Sequence, residues 1–349
     1  MNHSSLGNHL IIRALFLLCT VLLPTGAWKD RFTVFWNVPA ERCFTKYNVS
    51  FPLDQFRIVH NEKFKFNGDK VVLFYEYKTG LFPYYQDYNT SRPVNGGLPQ
   101  LVDILAHLNV VEEQIKDIIP DENFDGPAVF DVEEWRPMFH LNWGRKGIYR
   151  NESVRLVRER FPSISLKSAR VIAEDEFNSA AKKLLVATLQ LARRLRPRAK
   201  WGMYGFPYCN YDAGQSGEHA CSANFQGHND RLQWLTDEFT ALTPSIYLDL
   251  ASNNTAANYR YIHSVMNEAR RIASKSTVSP PILPYTKFEY NPYETPEEHI
   301  YYYKRDLCNS IKLSAEAGAS GVLVWSTDKY VSKGRCEGMK KYIGHSFGP

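Results

Sequence analysis

Short apolar runs alternate with long amphipathic segments along most of this chain, and that alternation constrains the fold more than any other feature. The apolar runs are rich in Val, Ile, Phe, Tyr and Trp, as buried parallel strands usually are. The candidate strands are Phe32–Trp36, Val71–Glu76, Ala128–Glu133, Lys200–Gly205, Ser245–Leu250, Pro281–Lys287 and Gly321–Ser326.

The segments between these runs carry apolar residues at helical spacing. Strand–helix alternation of this kind predicts an α/β fold with a parallel sheet. No Gly-x-Gly-x-x-Gly follows the first strand and no P-loop is present, so an open nucleotide-binding sheet lacks support. We therefore expect one domain, a TIM-like (β/α) barrel of about seven strands. The candidate helices are Leu98–Ile119, Glu174–Leu195, Ala256–Ser274 and Pro296–Ala317, the last capped by Gly318.

The first residues resemble a targeting segment. Arg13 precedes the apolar run Ala14–Leu23, and small residues follow up to Ala27. This pattern predicts a signal peptide over residues 1–27, which leaves 28–349 as the mature domain. A membrane anchor is the alternative, but the run is short for a span, and no later segment has about 20 uninterrupted apolar residues. We therefore expect a secreted, extracellular protein that is not held in a membrane.

The chain carries a formal net charge of +5, and loss of Arg13 with the signal peptide would lower it by one. A mildly basic protein would not repel a polyanionic substrate. A basic stretch near residue 195 is interpreted as the solvated end of a helix. No motif for RNA or DNA binding accompanies it, so no nucleic-acid partner is expected. The stretch consists of Arg193, Arg194, Arg196, Arg198 and Lys200.

The cysteines fit an oxidising compartment. The chain has six, and Cys19 would leave with the signal peptide. An odd remainder predicts two disulfides with one free thiol, or an intermolecular bridge. Spacing leaves the pairing open, although Cys209 and Cys221 are near enough to staple one loop, and a bond from Cys43 to Cys336 would clamp the chain ends. Cys308 lies in a helical pattern, which predicts a buried free thiol.

Asn-x-Ser/Thr sequons begin at Asn48, Asn89, Asn151 and Asn253. They are typical of a secreted glycoprotein, although each could also be a chance match.

Two carboxylates end the third candidate strand. Alternate residues of a strand face the same side, so Asp131 and Glu133 should point together. Barrel active sites lie at the carboxyl ends of the strands, and a carboxylate pair there suits glycoside hydrolysis. A neighbouring negative charge raises the pKa of the acid that must stay protonated. The spacing is common, however, and an Asp-x-Glu often does no more than cap the next loop.

Aromatic residues at other strand ends favour a carbohydrate groove. Tyr204, Tyr247 and Trp325 each lie in or at the end of a candidate strand. Sugar rings present apolar C–H faces that stack on such side chains. Any one of them could be ordinary barrel packing, but their common position beside the carboxylates favours sugar binding.

Other chemistries find little support. The chain has no His-Glu-x-x-His, and its histidines lack metal-ligand spacing, so neither a metal nor another cofactor is expected. The segment Gly214–Gly217 does not complete a Gly-x-Ser-x-Gly elbow. A cysteine nucleophile is disfavoured because most of the mature cysteines can pair.

These residues together make the sequence similar to the animal hyaluronidases, glycoside hydrolase family 56, and especially to the arthropod venom and salivary type. The motifs occur in family order over nearly the whole mature chain, and their combination is specific although no single one is. They are Phe35-Trp36-Asn37-Val38-Pro39 with Cys43, Gly96-Gly97-Leu98-Pro99-Gln100, Asp131-x-Glu133-x-Trp135-Arg136-Pro137 with Asn142-Trp143, Trp201-Gly202-Met203-Tyr204-Gly205-Phe206-Pro207-Tyr208-Cys209, Pro244-Ser245-Ile246-Tyr247 and Trp325-Ser326.

The resemblance implies a distorted barrel enzyme that hydrolyses the β-1,4 bond after N-acetylglucosamine in hyaluronan or chondroitin. The substrate's own acetamido oxygen would attack the anomeric carbon, with retention. Glu133 would be the general acid and then the base, while Asp131 would orient the acetamido group and stabilise its positive charge. Tyr204 and Tyr247 would position that group, and Trp325 would stack on the sugar.

The resemblance also implies further substrate-binding positions and the disulfides. Tyr75 would line the cleft, Arg136 would hold the charge geometry of the site, and Glu76 and Ser326 would contact substrate. Glu76 stands where venom members are expected to have aspartate, and Val132 replaces the usual aromatic between the acids. The implied disulfides are Cys43–Cys336 and Cys209–Cys221, with Cys308 left over.

Two other functions fit the sequence less well. A chitinase-type barrel needs Asp-Gly-x-Asp-x-Asp-x-Glu, which the residues after Asp125-Gly126 do not supply. A non-catalytic hyaluronan-binding homologue could keep the aromatics and lose the acid, but here the full set is present. We expect a monomeric enzyme whose partner is the polysaccharide.

Overall fold

Parallel strands form the centre of the molecule in the computed structural model, which describes residues 32–249, 255–293 and 300–347. The predicted signal peptide, the sequon at Asn253 and the start of the candidate helix Pro296–Ala317 lie outside the described residues. The strands are β1 Thr33–Asn37, β2 Val59–His60, β3 Val72–Tyr75, β4 Tyr84–Tyr85, β5 Pro93–Val94, β6 Pro127–Asp131, β7 Lys200–Met203, β8 Tyr285–Thr286 and β9 Gly321–Trp325. One sheet has the order β2-β1-β9-β8, a second has the order β3-β6-β7, and β4 and β5 form an antiparallel ribbon.

The segment around Ser245 connects the two sheets without forming a regular strand. Isolated parallel bridges pair Tyr204 with Thr243 and Ser245 with Tyr285. The expected strand Ser245–Leu250 is therefore reduced to bridges over its described part. Pro244 and Pro284 explain this, because proline has no N–H to donate to a strand ladder.

A side chain joins the sheets on the opposite side of the ring. Oδ1 of Asn61 accepts a hydrogen bond of 3.1 Å from the backbone N–H of Val71, and its Nδ2 donates to the Val71 carbonyl at 2.9 Å. Asn61 thus supplies the hydrogen bonds that a neighbouring strand would supply between β2 and β3. The result is a distorted TIM-like barrel, as predicted.

Long helices surround the strands. Helix α4 begins at Leu166 rather than at the predicted Glu174, because Oγ of Ser165 caps it by accepting from the Ser168 N–H at 3.1 Å. The final candidate helix is broken by a π-helical turn, Asn309–Leu313, and Gly318 follows with φ +86°. The helices are α1 Glu41–Thr45, α2 Ile104–Ile118, α3 Gly147–Arg160, α4 Leu166–Leu195, α5 Ala223–Arg231, α6 Gln233–Thr236, α7 Thr255–Ala273, α8 Lys304–Cys308, α9 Ser314–Glu316 and α10 Lys333–Tyr342, followed by the π-helical turn Ile343–Phe347.

Strand alternation separates two parts of the core. Phe74 and Phe130 point outward and stack with Trp201 at centroid distances of 5.9 and 5.3 Å, in the cluster that includes the buried face of α4. Leu73 and Val129 point inward and pack in the barrel interior. Tyr75 and Asp131, two residues further along each strand, therefore lie at the inner carboxyl end of the barrel.

Disulfides fix the chain ends and one loop. Cys43 pairs with Cys336 and Cys209 with Cys221, at Cα–Cα distances of 5.5 and 5.3 Å. These are the pairs that the resemblance implies. Cys308 is also disulfide-bonded, so the prediction of a free thiol was wrong for this structure. That prediction rested on an odd count after removal of the signal peptide, whereas the full chain has an even number of cysteines.

Surface features agree only partly with the sequence predictions. Asn48, Asn89 and Asn151 are exposed. Within the basic stretch, Arg196 is 4% exposed and its Nε donates to the Ile119 carbonyl at 2.7 Å. The interpretation of that stretch as a solvated helix end fits Arg194 and Arg198, which are exposed, but not Arg196, whose guanidinium satisfies a backbone carbonyl at the end of α2. Across the described ranges, no helix has the length and apolar character needed to cross a membrane.

Candidate active site

The carboxyl ends of β3, β6 and β9 meet at one mouth of the barrel. Tyr75 and Asp131 are paired in register at the ends of β3 and β6. Trp325 ends β9, and its Nε1 donates to the Tyr75 hydroxyl at 3.0 Å. The alternation and the strand ends thus place three predicted site residues together.

Asp131 lies at the centre of a group of carboxyl side chains. Its Oδ1 is buried and has no hydrogen-bond partner among the described residues. Burial raises the pKa of Asp131 well above its usual range, and the nearby charges of Glu133 and Glu76 raise it further. Simultaneous ionisation of all three carboxyl groups is therefore unfavourable, and the set tends to retain a proton.

Glu133 lies beside Asp131 at the mouth. The residue as a whole is exposed, while surrounding protein atoms desolvate its carboxyl group. The resulting desolvation raises the pKa of Glu133, and the charges of Lys146 and Arg136 lower it. A carboxyl group with opposing influences of this kind suits alternating proton donation and acceptance.

Glu76 is placed beneath the catalytic loop. It is 4% exposed, and its Oε1 accepts hydrogen bonds of 2.9 Å from the backbone N–H groups of Glu133 and Glu134. Burial raises its pKa to about 8. Its observed contacts therefore position the loop that carries Glu133.

Lys146 is a site residue that no sequence pattern predicts. Its Nζ donates to the Glu133 carbonyl, to the Glu134 carbonyl at 3.3 Å and to the Tyr88 hydroxyl at 3.2 Å. It ends the short 3-10 turn Gly144–Lys146, and no spacing in the sequence links that turn to the carboxylates. Lys146 places a positive charge beside the carboxyl group of Glu133.

The predicted aromatic residues form one continuous wall. Rings of Tyr204 and Tyr247 lie 5.8 Å apart, and Tyr247 stacks on Trp325 at 6.0 Å. The Tyr204 hydroxyl donates to Oγ of Ser245 at 3.1 Å. Burial raises the pKa of Tyr204 well above its usual range, and the charges of Glu133 and Asp131 raise it further. The wall is therefore adjacent to both carboxylates.

Two more tyrosines extend this wall. Tyr285 of β8 is buried, packs edge-on against Tyr204 at 5.4 Å and donates to Oδ1 of Asn37 at 3.2 Å. Tyr293 is 56% exposed and its ring lies 5.9 Å from that of Trp325. Tyr285 was within a candidate strand, where alternation could have selected it, whereas the loop around Tyr293 carries no such signal.

Arg136 and Ser326 occupy different environments. The Arg136 guanidinium lies over the exposed Trp143 ring at 4.6 Å and donates to the Leu141 carbonyl at 2.9 Å. Ser326 is buried, and its Oγ donates to Oε2 of Glu289 at 2.6 Å. Arg136 therefore lines the open side of the site, while the Ser326 side chain lies behind its wall.

A metal centre does not emerge from this geometry. In the described ranges, no group of three or more His, Cys, Asp and Glu side chains is arranged to hold an ion.

Comparison with known proteins identifies the family. Residues 24–349 match the hyaluronidase family. The chain is 41% identical over 323 residues to a chondroitin hydrolase of Caenorhabditis elegans, covering 92% of this chain and 69% of the relative. It is 35% identical over 324 residues to hyaluronidase-1 of Homo sapiens, covering 91% and 72% of the two chains.

Solved structures agree with this assignment. The crystal structure of bee venom hyaluronidase superposes with a TM-score of 0.81 at 30% identity, covering 91% of this chain and 99% of that one. Its complex with a hyaluronic acid tetramer superposes with a TM-score of 0.81 at 29% identity, covering 91% and 98%. Together with the barrel and its carboxylates, these matches show that the chain belongs to the hyaluronidase family of glycoside hydrolases.

Proposed function

We propose that this protein is an endo-β-N-acetylhexosaminidase that hydrolyses the β-1,4 bonds between N-acetylglucosamine and glucuronate in hyaluronan, and that also accepts chondroitin. The names of its relatives support both polymers, since they include a chondroitin hydrolase and hyaluronidases. The hyaluronic acid tetramer bound to the bee venom relative supports an oligosaccharide groove on this fold.

The observation that carries the mechanism is the pairing of Asp131 with Glu133 beside Tyr204 and Tyr247. In the first step, the acetamido carbonyl oxygen of the substrate attacks the anomeric carbon, and the glycosidic oxygen leaves with the proton of Glu133. In the second step, the Glu133 carboxylate takes a proton from water, whose oxygen attacks the anomeric carbon and reopens the cyclic intermediate. Two displacements retain the anomeric configuration.

Asp131 would act on the substrate's acetamido group. Its buried Oδ1, which lacks a protein donor among the described residues, is an acceptor available to the acetamido N–H. Since the negative charge of Glu133 raises the pKa of Asp131, protonation of Glu133 would favour an ionised Asp131, which could stabilise the positive charge of the intermediate. Tyr204 and Tyr247 would hold the group in place, Trp325 would stack on the sugar, and Tyr75, Glu76, Arg136 and Ser326 would support or line the site.

Replacement of the acid tests the mechanism. Glu133→Gln should lower kcat for hyaluronan by about a thousandfold or more while the protein still folds, since general acid–base catalysis contributes about 10²–10⁴. Glu134→Gln is the matched control, because it makes the same change on the neighbouring residue, whose Oε1 accepts from Tyr77. Normal activity in Glu133→Gln would contradict the proposal.

Product analysis tests the reaction class. Products of pure hyaluronan and of chondroitin should end in an N-acetylhexosamine and should contain no unsaturated uronate, which a lyase would leave. Binding of either polymer without new reducing ends would instead indicate a non-catalytic homologue.

We also propose that the protein is a secreted monomeric glycoprotein, cleaved near Ala27, with 28–349 as the catalytic domain. Two disulfides and three exposed sequon asparagines support an extracellular compartment. N-terminal sequencing of the secreted protein, its native mass and its shift after enzymatic removal of N-glycans test this proposal. Retention of residues 1–27 would contradict the proposed cleavage.

A further inference from the structure

Four basic side chains gather at one side of the active-site mouth. NH1 of Arg231 lies 3.3 Å from Nε2 of His140, and NH2 lies 3.4 Å from Nδ1. Nε2 of His140 lies 3.4 Å from Nδ1 of His228. Arg150, on α3, is near enough that its charge also lowers the pKa of His140. We call His140, Arg150, His228 and Arg231 the basic cluster.

No acidic side chain balances this cluster among the residues that the structure describes. None of its members lies within 4.0 Å of an Asp or Glu carboxylate there. Asp230 is adjacent to Arg231 in sequence, but it pairs with Arg271 and Lys275 at 2.7 and 2.5 Å. Nε of Arg150 is buried and has no hydrogen-bond partner in the described ranges. The cluster therefore has an unmatched positive charge and an unused buried donor, both of which favour an anionic ligand.

Contacts around Arg136 and Tyr208 connect the cluster with the active site. His140 precedes Leu141, whose carbonyl accepts from the Arg136 guanidinium. Asn229, between His228 and Arg231 on α5, accepts from the Tyr208 N–H at 2.9 Å, and the charges of Arg136 and Glu133 act on Tyr208. The loop and α3, which follow β6, and α5, which follows β7, carry the cluster, whereas Trp325 ends β9 in the other sheet.

We propose that the basic cluster is a binding subsite for an acidic sugar of the same polysaccharide chain, at a repeat distant from the cleaved bond. The ligand group is a carboxylate or a sulfate, which a guanidinium binds through paired N–H donors. This inference rests on the proposed function, because the groove must hold a glycosaminoglycan whose acidic groups recur along the chain. It adds affinity for long chains and takes no part in bond cleavage.

The histidines make this subsite dependent on pH. Desolvation, together with the charges of Arg231, His228 and Arg150, lowers the pKa of His140 to about 4. Desolvation and the charge of Arg231 also lower the pKa of His228. A bound anion favours the protonated imidazoles and raises both pKa values. Binding should therefore take up protons, and affinity for long chains should increase as pH falls.

Direct binding to the inactive Glu133→Gln protein tests the subsite without cleavage. In that background, Arg231→Gln should weaken binding of long hyaluronan oligosaccharides about threefold to tenfold, as expected for a partly exposed charged contact. Binding of the shortest oligosaccharide that the wild-type protein cleaves should not change. Arg158→Gln is the control, since it removes one exposed charge at the far end of α3. An effect no larger than that of the control, or an equal effect on short and long chains, would overturn the inference.

Calorimetry in buffers of different ionisation enthalpy tests the proton uptake. His140→Gln should reduce the uptake that accompanies binding of long chains, and an unchanged uptake would overturn the part assigned to the histidines. Binding of chondroitin with and without sulfate identifies the ligand group. If Arg231→Gln weakens binding of the sulfated chain more, the group is a sulfate. If it weakens binding of both chains equally, the group is a carboxylate. Because these measurements use an inactive protein, they are independent of the activity tests that decide the proposed reaction.

Discussion

Oε1 of Glu76 accepts a hydrogen bond of 2.9 Å from the backbone N–H of Glu133. The two residues are separated by 57 positions, and the same oxygen also accepts from the Glu134 N–H. The end of β3 thus determines where the loop after β6 holds its acid. This contact makes Glu76 a positioning residue.

Glu76→Leu should lower both stability and kcat. Leucine leaves two partly buried N–H groups without an acceptor, which costs up to about 1–3 kcal/mol for each group, and the freed loop should displace Glu133. A displacement of this kind lowers kcat by about a hundredfold. Glu76→Gln keeps an acceptor at the same distance, so its loss of stability and of kcat should be much smaller. Denaturant unfolding and kcat measure both effects, and a Leu variant as active as the Gln variant would contradict this role.

Lys146→Met should shift the basic limb of the pH–kcat/KM profile to higher pH. The proposed acid must be protonated to act, and the positive charge of Lys146 lowers the pKa of Glu133. Loss of that charge raises this pKa, so activity should persist to higher pH. Arg145→Met is the matched control, because Arg145 lies over the Tyr88 ring at 4.7 Å and is not among the charges that shift the pKa of Glu133. An unmoved basic limb in Lys146→Met would refute this assignment.

Arg335→Met should destabilise the protein by about 3–5 kcal/mol, because it leaves Glu289 buried without its guanidinium. The two side chains are 1% and 0% exposed and lie 2.8 Å apart. Arg335 also donates to Oγ of Ser326 at 3.1 Å, next to Trp325, so KM should rise as well.

The control for Arg335 is Lys333→Met on the same helix. Lys333 makes an exposed pair with Glu337 at 3.9 Å, and its loss should change stability by less than about 1 kcal/mol. Unfolding in denaturant compares the two variants. Equal stability would show that the buried pair does not anchor the end of β9.

His107 should make the protein less stable as pH falls from about 6.5 to about 4. Its ring is buried, Nδ1 accepts from the Leu81 N–H at 2.9 Å, and Nε2 donates to Oγ1 of Thr188 at 2.9 Å. Desolvation lowers its folded-state pKa to about 4 from 6.5. The unfolded chain therefore binds more protons in this window, and stability that is present above about 6.5 is lost at up to about 1.4 kcal/mol per pH unit.

Unfolding free energies measured across this window test the role of His107. His107→Asn should flatten the pH dependence, whereas His345→Asn, which alters an exposed histidine, should leave it unchanged. A wild-type slope in His107→Asn would exclude His107 as its source.

Patterns along strands predicted the centre of the site because alternation and strand ends are local properties. The placement of Asp131, Tyr204 and Trp325 followed from position, whereas their roles followed from the family resemblance. The hydrogen bonds of Glu76 and Lys146 join segments that are distant in sequence, so no local pattern could reveal them. Their contribution depends on tertiary contacts, since the turn before α3 approaches the loop after β6 only in the folded chain.

Helix α3 shows a second limit of sequence patterns. It is mostly polar and charged, and its buried side chains are Tyr149, Ser153 and Val157 on one narrow stripe. Such a stripe gives little apolar periodicity, so no helix was predicted there. The strand prediction around Ser245 failed for the opposite reason. The apolar composition of that segment indicates a strand, but its prolines prevent a regular ladder of backbone hydrogen bonds.

The disulfide between Cys43 and Cys336 closes most of the chain into one covalent ring. It spans 293 residues, and β1 and β9 lie side by side in one sheet. Cutting one peptide bond within the spanned chain opens that ring but does not divide it into separate pieces. A single nick by a protease in an outer loop would therefore leave both flanking segments attached, and the two halves of the active site would stay in one molecule.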